Sequence, residues 1–370
     1  MKKKPKISLN QKGVSFIELL IVMTLVVIVL MMNTDTLGVI FRQSRQQTQA
    51  VGAQMDRIVG LEILRTDIEH AGFGLPWSFQ NSQSINYDEA ANYPEKNYND
   101  CSGTAPCNPP RGMLSGNDVG FNNSDYLVIK SPIVGISETS QRWTYIVGGS
   151  PHTWGLNDLG TPPASPNQER IIAIRPRTSG GFTKELIMDA SDKFFTTYPP
   201  TGDFAANGAV IYGVSPSTDL RMPFNRADYY IQRPASMPQA CAPNTGVLYK
   251  ATINQNGGAL NADPLIDCVA DMQVIFRLDT NNDGTIDSTV EDISGLTAQQ
   301  IREQLKEVRV YILSHEGQKD SAFKYSNGTV TVGEFGLGRT FNLSSIIGPG
   351  WENYRWKVSV LVVKPRNLTS

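Results

Sequence analysis

Lys12-Gly13-Val14-Ser15-Phe16-Ile17-Glu18-Leu19-Leu20 opens the stretch whose reading decides the fold, and from Val14 to Met32 only Ser15, Glu18 and Thr24 interrupt an apolar run. A run of about 19 residues, at about 1.5 Å of helical rise each, reaches roughly 29 Å, enough to cross the hydrocarbon of a bilayer. Lys2, Lys3, Lys4, Lys6 and Lys12 crowd in front of it. Positive residues stay on the cytoplasmic side, so everything after Met32 is expected outside the cytoplasm. A cleaved secretory signal ends at small residues of Ala-x-Ala type, whereas Met31-Met32-Asn33-Thr34-Asp35 follows here. A plain signal anchor has no use for a carboxylate in its first turn, where an unpaired charge costs on the order of a few kcal/mol. Glu18 therefore needs a partner.

Gly13 to Leu20 resembles the type III signal of prepilins, G-F-x-x-x-E behind a short basic leader, with Val14 where the family usually has Phe or Met. The resemblance implies that a membrane prepilin peptidase cuts between Gly13 and Val14 and methylates the new N-terminus, leaving Glu18 fifth in the mature chain. A physical role follows. The amine freed at Val14 is a cation in an apolar layer, and Glu18 of a neighbouring subunit can offset its desolvation, setting the axial register of an assembly. The alternative is a Glu that snorkels to the headgroups.

Past Asn33 the helix is expected to continue as an amphipathic one, with Val51, Met55, Ile58, Leu61, Leu64 and Ile68 at steps of three and four. Gly72, Gly74 and Pro76 end it near Ala71. From about 75 to 246 the chain is rich in Gly, Pro, Asn and Ser, broken by short apolar runs at 126–129, 144–147, 170–174 and 209–212 that read as strands. Met272 to Leu278, Val308 to Ile312 and Tyr354 to Val362 alternate as half-buried strands. Thr297-Ala-Gln-Gln300 is a capping box opening a short helix that carries Ile301 and Leu305.

The architecture expected is α+β: a pilin-like long N-terminal helix packed on an antiparallel β-sheet, with an enlarged, loop-rich head. Its parts are a leader at 1–13, a membrane or filament-core half-helix at 14–32, an amphipathic half at 33–72 and a head at 73–370. The head divides into a loop-rich β region at 73–246 and a C-terminal sheet at 247–370. The strand leading into Leu278-Asp279, the Val308-Arg-Val-Tyr-Ile312 strand and the Tyr354-Arg-Trp-Lys-Val358 strand running toward Arg366-Asn367 resemble the large PilW-type minor pilins.

Asp279-Thr-Asn281-Asn-Asp283-Gly284-Thr285-Ile286-Asp287 fits positions one to nine of a calcium loop, D-x-N-x-D-G-x-x-D, with Thr285 contributing a backbone carbonyl. Position twelve is Val290, not a bidentate Glu, and Glu291 and Asp292 lie beyond it; the competing reading is a polar turn in which Asp and Asn accept backbone N–H groups. The four cysteines all follow the apolar run. Local pairing of Cys101 with Cys107 and of Cys241 with Cys268 is the simplest of three connectivities, and a four-thiolate zinc site lacks its C-x-x-C spacing.

A net charge of −2 on 370 residues leaves no basic footprint for nucleic acid. His70, His152 and His315 are isolated, and no nucleophile elbow, phosphate loop or zinc-protease motif occurs, so no enzyme is expected. The resemblance implies a minor pilin taking part in type IV pilus assembly, priming it or sitting at the tip. Its partners would be other pilins through the N-terminal helix and the prepilin peptidase. It would start as a single-pass inner-membrane protein and end periplasmic or extracellular in the pilus. A pseudopilin of a type II secretion system, or a surface adhesin head on a pilin-like stem, are the other readings.

Overall fold

The computed structural model describes residues 13, 15–80, 85–153, 159, 168–178 and 181–368, and within the first helix it leaves the side chains of 32–53 and 56 undescribed. It is a mixed α/β protein with two large sheets. The chain divides into two compact units, 1–52 and 53–370. Helix α1 is assigned over Phe16–Glu69, and the turn at 70–74 that ends it carries Gly72 and Gly74 at φ of 78° and 64°, a conformation that glycine adopts without strain.

Within the second unit the strands are, in chain order, β1 (Ser78–Phe79), β2 (Met113–Gly116), β3 (Tyr126–Lys130), β4 (Trp143–Val147), β5 (Ser150–Pro151) and β6 (Arg170–Arg177). Next come β7 (Thr183–Leu186), β8 (Thr196–Thr197), β9 (Val210–Ser215), β10 (Arg226–Gln232), β11 (Gly246–Ile253) and β12 (Leu260–Leu278). After these follow β13 (Ser288–Val290), helix α2 (Ala298–Gln304), β14 (Leu305–Glu316), β15 (Thr329–Val332), β16 (Arg339–Asn342), helix α3 (Leu343–Ile346) and β17 (Arg355–Val363).

The larger sheet runs β17-β14-β12-β11-β10-β3-β2 with β13 beside β12, and every pairing in it is antiparallel. The smaller runs β1-β7-β6-β9-β4-β5 with β8 on β6, and its β1–β7 pair is parallel. The division of the head at 246 therefore needs correction. β2, β3 and β10 precede that point yet join the C-terminal strands, because β10 pairs along its whole length with β11 and carries β3 on its other edge.

One face of the larger sheet meets the end of α1, where Leu64 and Ile68 are fully buried with Leu127, Tyr229, Leu248, Val274 and Val310. Burial of this kind stabilises by about 1.5–3 kcal/mol per large aliphatic side chain. The other face, at the C-terminal strands, is covered by a separate core of Ile275, Tyr311, Leu313, Phe341, Leu343 and Trp356. β12 and β14 are thus buried on both faces near Ile275 and Tyr311, not half-buried as their alternation suggests. β17 is the strand that keeps a wet face, with Val360 and Val362 exposed.

The apolar stripe of α1 also needs revision. Leu64 and Ile68 are buried and Leu61 packs beside them, but Met55 and Ile58 are 64% and 57% exposed; the side chain of Val51 lies outside the described residues. The face turned inward runs through Arg57, Gly60, Leu64, Asp67 and Ala71. Arg57 pairs with Glu316, and Asp67 with Lys250 at 2.6 Å and the Tyr229 hydroxyl at 2.6 Å. At Gly60 the helix comes so near β12 that a Cβ would lie 2.7 Å from Ile266 Cγ1 and 2.9 Å from Leu265 O. Two ion pairs and a glycine define the contact, so hydrophobic periodicity alone points a little off the true face.

Candidate functional site

The N-terminal segment is built from exposed apolar side chains around one carboxylate. Ser15 O accepts the N–H groups of Glu18 and Leu19 at 2.9 and 3.1 Å, starting α1. Glu18 stands in the first turn, where a negative charge complements the helix dipole. Gly13 is exposed with nothing within 4 Å of an added Cβ, while Val14 and the basic residues 2–12 lie outside the described residues. From Phe16 to Met31 the large apolar side chains are 48% to 79% exposed on every side of the helix. Thr24 hides its hydroxyl by donating to Leu20 O at 2.8 Å. A continuous apolar patch of this extent marks an interaction surface, since water gives it no compensation. Among the described residues no helix is long and apolar enough to cross a membrane, and the span read at 14–32 includes Val14 and the Met32 side chain, which are not described.

The 279–287 loop is a self-capped turn. Buried Asp279 accepts from Asp283 N at 3.1 Å and Gly284 N at 2.9 Å, and Asn281 Oδ1 accepts from Asp283 N at 3.1 Å. Thr285 N donates to Asp283 Oδ1 at 2.7 Å, and Thr280 N and Oγ1 donate to Asp287 Oδ1, each at 3.0 Å. The Thr280 backbone hydrogen bond, first among several, holds the Asp287 carboxyl below the usual carboxylate range. Lys306 Nζ stands 3.9 Å from Asp279 Oδ2. The carboxylates displaced beyond position twelve are engaged elsewhere: Glu291 accepts from Gly338 N, and Asp292 accepts from Ser294 N at 2.8 Å. Among the described residues no three His, Cys, Asp or Glu side chains gather to hold a metal. The loop's oxygens accept backbone N–H groups as the turn reading describes.

Disulfides join Cys101 to Cys107 and Cys241 to Cys268, the two local pairings. The first lies in a loop whose position no local pattern announces. Its anchor is a charge network whose Lys130, Glu89, Arg226 and Asp228 are fully buried. Lys130 Nζ reaches Glu89 Oε2 at 2.7 Å and Asp100 Oδ2 at 2.6 Å. Arg226 reaches Glu89 at 3.2 Å and Asp228 at 2.7 Å. Arg111 Nε completes the set on Asp100 Oδ1 at 2.6 Å. Three cations thus face three carboxylates. Burial alone would raise the Asp100 pKa, but Lys130 and then Arg111 hold it below the usual range. Burial, and then the charge of Asp228, pushes the Tyr126 phenol far up, keeping it a donor to Asp228 Oδ2 at 2.6 Å. Lys130 and Arg226 sit on β3 and β10, while Glu89, Asp100 and Arg111 belong to the disulfide loop, so the network clamps that loop to the larger sheet. The available signal was charge within strands, Lys130 on β3 and Arg226 with Asp228 on β10, and no spacing names such partners.

Of the isolated histidines, His315 is buried between Tyr354 and Trp356, with ring centroids 4.6 and 5.1 Å away. Its Nε2 accepts from Ala242 N at 2.8 Å, beside the Cys241–Cys268 bridge, which requires a neutral ring. His70 Nδ1 lies 2.8 Å from Thr66 O at the end of α1.

Residues 228–367 match the family model described as type IV pilus-assembly protein W, PilW. The match takes in all but the first two residues of β10 and everything through β17, the greater part of the larger sheet. Among solved structures, a type IV-like pilin from Thermus thermophilus is 14% identical over 40% of this chain and 67% of its own, with a TM-score of 0.25, too low to carry the fold. No curated protein matches the chain.

Proposed function

We propose, from the premise that the chain is a type IV pilus-related protein of PilW type over residues 228–367, that it is a minor pilin taking part in pilus assembly, at the priming or tip end. The observation that carries the reading, beside the family match, is the apolar surface of residues 16–31 with Glu18 as its sole charge. Before assembly that surface sits in the inner membrane. After cleavage at Gly13-Val14 by a prepilin peptidase it packs among the helices of other pilins, where Glu18 meets the Val14 amine of a neighbour. The large second unit, 53–370, supports a place at an end of the filament, because a repeating shaft has little room for it.

Two experiments test this together. Deletion of the chain should abolish or sharply reduce pili, while pili present in normal number but unable to attach would favour an adhesin. Glu18→Ala should be processed and retained in the membrane yet enter pili at about a tenth or less of the wild-type level, the loss of one neutralising partner in an apolar layer being worth more than 1.4 kcal/mol. Normal incorporation of that variant would remove the pairing.

A further inference from the structure

A groove of about 600 Å3 opens beside the Cys101–Cys107 loop, lined by Trp77, Asn108, Arg111, the turn at 294–297 and Arg302. The stop sequence after α1 delivers Trp77 there, and its backbone N–H donates to Lys184 O at 2.8 Å, setting the residue beside β7. Two cations approach this ring. Lys184 Nζ lies 4.8 Å from its centroid and Arg302 Cζ 4.6 Å, while the Phe182 ring meets it edgewise at 5.5 Å.

Both cations are half-buried, and among the described residues neither has a carboxylate within ion-pair distance. Their neighbour behaves differently: Arg111 is held by Asp100 at 2.6 Å and donates to Ser294 O at 2.8 Å. Asp100 is in turn engaged by Lys130, so no carboxylate in the groove is left over for Arg302. Burial, and then the charge of Arg302, lowers the Lys184 pKa, and burial lowers that of Arg302. An indole face offsets part of the charge, and Glu303 opposes part of that on Arg302, but two like charges against one half-buried ring, Arg302 in the groove and Lys184 beside it, remain an arrangement that an anion completes. A guanidinium presents a fork of donors matched to the oxygens of a carboxylate or phosphate. The volume is that of a small-ligand site.

We propose that this groove binds an oxyanion, the phosphate or carboxylate of a small ligand, with Arg302 as the direct contact and Lys184 supplying a second positive charge beside Trp77. The site is independent of the N-terminal helix and of pilus assembly, so it stands or falls separately from the minor-pilin reading.

The test is a titration of the full chain in detergent with inorganic phosphate and, in a second arm, with glucuronate, each at constant ionic strength. Tryptophan fluorescence and Tm are followed, and Trp77→Phe assigns the signal. The expected result is a saturable change with a rise in Tm in at least one arm, and the arm that responds identifies the oxyanion. Arg302→Gln should weaken binding about tenfold or more, the usual size of a lost charge-assisted hydrogen bond. Arg302→Lys, which keeps the charge but not the fork of donors, should bind more weakly than the native chain and more tightly than Arg302→Gln, and so separates charge loss from misfolding. No saturable response in either arm overturns the proposal, as does binding of equal strength in the Arg302→Gln variant.

Discussion

Lys130→Met removes one cation from the buried network while leaving a side chain of similar length. Glu89 then loses its nearest cation, at 2.7 Å, and Asp100 one of two at 2.6 Å, and Glu89 has no route to water because its side chain is wholly buried. Removing one member of a buried ion pair costs about 3–5 kcal/mol. Each carboxylate keeps a second partner, Arg226 for Glu89 and Arg111 for Asp100, which places the expected loss at the lower end, about 3 kcal/mol. For a chain of this size that is a fall in Tm on the order of 5–10 °C. The comparison is Arg65→Met, which breaks an exposed i,i+4 pair with Glu69 at 3.2 Å and should cost about 0.3–0.5 kcal/mol. Near-UV circular dichroism melts of the full chain read the difference, and limited proteolysis should find the segment 93–99 newly cleavable in the Lys130 variant. If Lys130→Met and Arg65→Met melt within about 2 °C of each other, the network is not what holds the disulfide loop to the sheet.

Two further predictions concern the second unit. Burial lowers the His315 pKa to about 4 from an ordinary 6.5. A base depressed in the folded state binds its proton more readily when unfolded, so its contribution is complete above pH 6.5. The contribution falls away as the pH drops from 6.5 toward 4, by up to about 3 kcal/mol. An imidazolium signal in the nuclear magnetic resonance spectrum of the folded protein at pH 5.5 would contradict this. Gly60→Ala places a methyl 2.7 Å from Ile266 Cγ1 and 2.9 Å from Leu265 O and should destabilise by about 1–3 kcal/mol through overpacking. Gly295→Ala, with nothing within 4 Å, should change Tm by no more than about 2 °C; equal effects at the two glycines would dissociate α1 from β12.

What could be read ahead in the sequence was local. The apolar runs at Tyr126, Thr144, Arg170 and Ala209 mark β3, β4, β6 and β9. Thr297 and Gln300 form the reciprocal cap their spacing announces. The cysteine spacings match the two bridges. What could not be read depends on distant partners. β3 joins β10 far along the chain, with Leu127 opposite Tyr229, by an edge pairing that leaves no periodic trace. The contact face of α1 turns on Arg57 and Gly60, residues that a hydrophobic pattern passes over. Burial of β14 on both faces requires β15, β16 and α3 to fold over it. At the candidate sites the turn chemistry of 279–287 was legible in its Asp, Asn and Gly. Lys130 and Arg226 were visible only as charges out of place in strands, and the unmatched cations around Trp77 not at all.

Cleavage between Gly13 and Val14 is the step that would turn the apolar helix from a membrane anchor into a filament subunit's stem. Intact-mass and N-terminal peptide mass spectrometry of the protein recovered from its native membrane reads that directly. A mature chain beginning at Val14 with one methyl on its amine is the predicted result, and a chain still carrying Met1 and the lysine leader would contradict it.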